Sequence, residues 1–225
     1  MADPTARARG AGWRWTLLAA AAGLATSGVF SGVLHWARAA FVGAWLIVAA
    51  LVLGWYVLAS GIDPAVQLRR RWAAGVIVGV LTGVLLAFTV SRQPASPTPG
   101  GAALLRAELW SGFVYGAVDA LMLSVLPVLS LYGTRAADDL ARPGRRLQWA
   151  ATAMLGSLLV AAAYHLGFRE YRGAALVQPL VGNGVVTLAY LLAGNPLAPI
   201  IAHVTMHVAA VLHGAATTTQ LPPHY

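Results

Sequence analysis

His203 and His207 stand four residues apart in the apolar run Ala202-His-Val-Thr-Met-His207-Val-Ala-Ala210. On a helix this interval is just over one turn, so both imidazoles share a face, about 6 Å apart along the axis. A neutral imidazole can move a proton or bind a metal. His165 closes another apolar run, after Tyr164 and before Leu166-Gly167-Phe168, and Asp119 lies in the middle of a third. Glu108 precedes Asp119 by eleven residues. Three turns bring them to nearly the same face but about 16 Å apart along the axis, too far for a close carboxylate pair. Glu108 sits near Arg106, where a solvated carboxylate at a helix start is as good an expectation as a general base. Asp119 is deeper and has no arginine beside it. Two chemistries fit this set: proton transfer by Glu108 or Asp119 with His165, His203 and His207, or ligation of a divalent ion such as zinc by the three imidazoles.

The rest of the chain decides what must position these groups. Of its 225 residues 59% are hydrophobic and only 10% are charged, and the mean hydropathy is +0.70. A soluble domain carries about 25% charged residues, so the composition selects the lipid bilayer as the main partner. The net charge of +8 comes from arginine alone. No basic run is interleaved with aromatics in a groove-like stretch, so the charge fits anionic headgroups and no nucleic acid. The absence of cysteine excludes disulfides, thiolate metal sites and a cysteine nucleophile. Ionisable side chains within membrane-length segments are costly and face a cavity or one another. The histidines are therefore weighed as a site rather than as imidazoles capped by neighbouring carbonyls.

Apolar runs predict an all-α polytopic membrane bundle of about seven spans in one domain, 1–225. The spans fall at about 14–35, 39–60, 72–92, 107–132, 147–168, 174–193 and 196–215, each near the ~20 residues that cross the hydrocarbon core. The first run is too long for a cleaved signal and reads as a spanning helix. Pro127 predicts a kink or an early exit in the fourth span. Trp13, Trp15, Trp36, Trp72, Trp110 and Trp149 fall at span ends, as an aromatic belt. The Ser/Pro/Gly-rich stretch Gln93 to Gly101 predicts a flexible connector. With the N-terminus inside, nine arginines lie in inner segments against five in outer ones. This predicts a multi-pass protein of the cell membrane with a cytoplasmic N-terminus. On this count His165 lies toward the outer leaflet and His203 toward the inner third, so a shared site requires tilted or offset helices. Gly75-x-x-x-Gly79-x-x-x-Gly83, Gly28-x-x-x-Gly32 and Gly112-x-x-x-Gly116 predict close helix packing without chemistry. Gln178, Asn183 and Asn195 are expected to make interhelical hydrogen bonds, and His213 and His224 to lie at or beyond the interface.

The segment Gly194-Asn195-Pro196-Leu197-Ala198-Pro199-Ile200-Ile201-Ala202-His203, with His207 after it, resembles the last motif of the CAAX-prenyl protease and bacteriocin-processing family of intramembrane proteins. That family carries Glu-Glu-x-x-x-Arg, then Phe-x-x-x-His, then His-x-x-x-Asn. His165 is similar to the middle histidine, with Ala161 where phenylalanine is expected, and His207 stands where the asparagine would. Glu108-Leu-Trp-Ser-Gly112 is similar in flavour to the first motif, although no Glu-Glu pair exists; Asp119 is the competing alignment. The resemblance covers about 105–215. It implies an intramembrane peptidase, or a non-proteolytic relative, acting on a membrane-associated peptide or protein. In that reading Glu108 or Asp119 is the general base. His165 and His203 position water or the oxyanion, and His207 replaces the asparagine as a donor. The alternative is a small membrane transporter or metal-binding membrane protein that uses the histidine cluster.

Overall fold

In the computed structural model the described residues are 4–135, 137–214 and 216–222, and they form helices and loops without strands. His224 lies outside them. Among the described residues seven helices are long and apolar enough to cross a membrane: α1 Gly12–Val33, α2 Arg38–Ser60, α3 Trp72–Ser91, α4 Gly101–Gly133, α5 Pro143–Leu166, α6 Gly173–Ala193 and α7 Leu197–Gly214. The chain is thus an all-α multi-pass bundle, with span limits within a few residues of those expected, except that α4 begins earlier.

Burial ranks the helices. In α4 the most apolar window is 78% buried, against 28–44% in the other six, so α4 is the central rod. Its backbone alternates α turns with π-helical stretches at Glu108–Val114, Ala120–Val125 and Leu129–Gly133. A π turn fits an extra residue into each turn and re-aims the side chains beyond it, and such turns concentrate at functional sites. Asp119 ends the short α segment Tyr115–Asp119 between two of them. Pro127 does not end the helix. It falls in the α segment Leu126–Val128, and helical backbone continues to Gly133.

The last helix is held from two sides by small residues. Gly75, Gly79 and Gly83 of α3 are buried against α7. A Cβ on Gly79 would stand 2.9 Å from the Ile201 Cβ and 3.0 Å from the Ala198 carbonyl oxygen. Gly112 and Gly116 of α4 meet the opposite flank; a Cβ on Gly116 would lie 2.9 Å from the Val204 Cα and 3.1 Å from His207 Cδ2. Both glycine motifs are therefore seams of close backbone approach, as expected. Asn195 caps α7 by accepting from the Leu197 N–H at 2.7 Å, while its amide donates to the carbonyls of Gln67, Leu68 and Arg70. This ties the start of α7 to the arginine-bearing loop between α2 and α3.

The connector after α3 is pinned rather than loose. His213 Nε2 lies 2.8 Å from the Gln93 carbonyl oxygen, the Ser96 N–H donates to the His213 carbonyl at 3.4 Å, and Thr217 donates to the Pro94 carbonyl at 2.6 Å. Its Ser/Pro/Gly composition signalled the absence of a helix but could not reveal partners some 120 residues away.

Candidate functional site

A cavity of about 430 Å³ lies within the span bundle, and Asp119, His165, His203 and His207 all line it. They come from α4, α5 and α7. The remaining wall is mostly apolar, with Leu85, Leu86, Leu123, Val181, Val185 and Met206, and Asn183 adds an amide. His203 from α7 and His165 from the end of α5 line the same cavity, although the count of spans and arginines sets them at different depths.

His203 and His207 are 4% and 2% exposed, and their rings stand 5.8 Å apart and nearly perpendicular. Nδ1 of His203 and both ring nitrogens of His207 have no hydrogen-bond partner within the protein. Native folds satisfy most buried polar atoms, and one left alone costs about 1–3 kcal/mol. Three such atoms on one helix face mark these residues as something other than packing. His207 Nε2 is 3.7 Å from Asp119 Oδ2, close for an imidazole–carboxylate pair but longer than a direct hydrogen bond. The second oxygen, Asp119 Oδ1, accepts from the Trp45 indole N–H at 2.8 Å. Tyr115 lies edge-on to His207 with ring centroids 4.8 Å apart, and its hydroxyl pairs with that of Tyr164 at 2.8 Å.

The other sequence candidates separate. His165 lines the cavity, but its Nδ1 is 2.7 Å from the Ala161 carbonyl oxygen on its own helix, which leaves Nε2 as the nitrogen open to a ligand. Glu108 is half-buried at the start of a π turn and does not line the cavity. Of the two carboxylates, Asp119 joins the histidines. The three-turn separation from Asp119 explains why Glu108 cannot follow it there. The zinc set of His165, His203 and His207 is not assembled either: among the described residues no three His, Asp or Glu side chains group closely enough to hold a metal ion.

Through Asn183 the cavity wall continues into a second polar cluster. Ser124 donates to Asn183 Oδ1 at 3.2 Å, and Asn183 Nδ2 donates to Ser157 Oγ at 2.9 Å. Ser157 donates to the Leu123 carbonyl at 2.6 Å and meets Thr187 Oγ1 at 2.6 Å. This knot joins α4, α5 and α6. It bears out the interhelical role expected of Asn183.

Sequence reasoning missed the roof. After α7 the chain folds back, and Thr219 and Gln220 line the cavity. Gln178 donates to Thr219 Oγ1 at 3.0 Å, Gln93 donates to Gln220 Oε1 at 3.0 Å, and Tyr171 donates to the Thr219 carbonyl. Gln178 and Thr219 also line a neighbouring cavity of about 300 Å³ with Arg38, Glu170 and Tyr171, so their hydrogen bond forms part of the partition. The only trace in the sequence is that Thr217 to Gln220 is polar directly after an apolar span. Comparison with family models, with curated proteins and with solved structures finds no match to this chain.

Proposed function

We propose that this chain is an intramembrane hydrolase similar to the CAAX-prenyl protease and bacteriocin-processing family, cleaving a membrane-associated peptide or protein. One observation carries the reading: a carboxylate and three imidazoles from three separate spans line one cavity within the bundle. In the proposed step, His207 keeps its Nε2–H toward Asp119 Oδ2, its unpartnered Nδ1 takes a proton from water, and Asp119 stabilises the imidazolium. The hydroxide adds to the carbonyl carbon of the scissile peptide bond, and His203 donates a hydrogen bond to the oxyanion. Collapse breaks the C–N bond, and the proton on His207 leaves with the amine. General acid–base catalysis of this kind contributes about 10²–10⁴-fold, and preorganised donors to the oxyanion add to it. The separation of 3.7 Å between His207 and Asp119 suits this role, because catalytic hydrogen bonds are often long before substrate binds and tighten in the complex.

The test is cleavage by the purified protein in nanodiscs, using prenylated and leader-bearing peptide libraries. The wild type is expected to cut at least one library, and Asp119→Asn to lose that activity. A wild type that cuts neither library, or an Asp119→Asn variant that cuts as well as the wild type, overturns the proposal.

A further inference from the structure

We propose that Trp45 is a positioning residue of this site: its indole N–H holds one oxygen of Asp119 and thereby directs the other at His207. Trp45 lies on α2, is fully buried, and falls mid-span, away from the interfacial belt where tryptophan is usually found. An indole carries a single donor and no acceptor, and when buried it needs a partner. The partner is Asp119 Oδ1 at 2.8 Å. With that oxygen occupied, the carboxylate loses its two-fold equivalence, and Oδ2 is the one that faces His207 Nε2.

The indole is itself fixed. Tyr164 stacks on its face, with centroids 4.9 Å apart and planes at 20°. Tyr164 is locked through its hydroxyl to Tyr115, and Tyr115 touches the His207 ring. Trp45, Tyr164, Tyr115, His207 and Asp119 therefore close a ring of contacts drawn from α2, α5, α4 and α7. Trp45 alone brings in α2, and its N–H holds the carboxylate alongside the Tyr115 hydroxyl.

The catalytic consequence rests on the hydrolase reading, but the positioning does not, and the experiment separates them. Protein carrying ¹³C at the aspartate side-chain carboxyl carbon is reconstituted in nanodiscs, and the Asp119 resonance is identified as the one lost in Asp119→Asn. Trp45→Phe keeps a stacking ring and removes the N–H. Benzothienylalanine at position 45 keeps the bicyclic shape and removes the N–H alone, and it decides the matter if the phenylalanine variant does not fold. The Asp119 resonance is expected to shift and broaden in either variant, and kcat to fall about tenfold with KM unchanged. A resonance that stays in place in the benzothienylalanine protein overturns the proposal. A resonance that moves in a protein whose wild type cleaves nothing leaves the positioning intact and removes the hydrolase reading.

Discussion

Two polar clusters sit side by side in this bundle, and they are built on opposite terms. In the knot of Ser124, Ser157, Asn183 and Thr187 every side chain has a hydrogen-bond partner. In the neighbouring cavity His203 and His207 leave three ring nitrogens without one. Both clusters are buried and both join three spans. In hydrocarbon a satisfied network glues helices together. An unsatisfied imidazole is retained against its cost, and a ligand or a reaction supplies the reason. Burial alone does not distinguish structure from site; here the difference is three unmet ring nitrogens on one helix face that lines a cavity.

The strongest attempt to break this contrast is His207→Leu. Cleavage is expected to fall at least about 100-fold. Its thermal melting point should hold or rise, because exchanging a buried unpaired polar group for an apolar one of similar size is near neutral or stabilising. A melting point that drops steeply would make His207 a structural residue. Asn183→Ala should do the reverse, costing about 1 kcal/mol in reversible unfolding while cleavage persists. Loss of cleavage with unchanged stability would move Asn183 from the knot into the site. The smallest effect belongs to Glu108→Gln, which should change stability by less than about 0.5 kcal/mol and leave the cleavage rate as it was. A rate that collapses would bring Glu108 into the catalytic machinery and overturn the pairing of His207 with Asp119.

Much of the bundle was legible because hydrophobic length is a local property. The seven spans and the glycine seams on α3 and α4 come from runs and spacings that need no knowledge of neighbours. The imidazoles His203 and His207 were visible for the same reason, as costly groups in an apolar run. Choosing between Glu108 and Asp119 was not possible from spacing, since helical periodicity places them on one face and only depth in the bundle separates them. Whether the three imidazoles share one ion was not legible either, because a shared cavity does not fix ring orientation, which depends on local acceptors such as the Ala161 carbonyl. Trp45 did leave a signal, a tryptophan at mid-span, but its partner lies 74 residues away. The roof depends entirely on such distant pairings, through Gln93, Tyr171 and Gln178.

The glycine seams also bear on how the protein is made. The best window of α7 has a mean hydropathy of 1.4, against 2.4 for α3, and it carries three imidazoles. A helix of this kind partitions into lipid less readily than its neighbours and gains its place by docking. The groove that receives it, along Gly75, Gly79 and Gly83, is translated more than a hundred residues earlier. Biogenesis thus prepares the berth before the cargo arrives, and a bulky side chain in that groove would leave α7 stranded at the translocon.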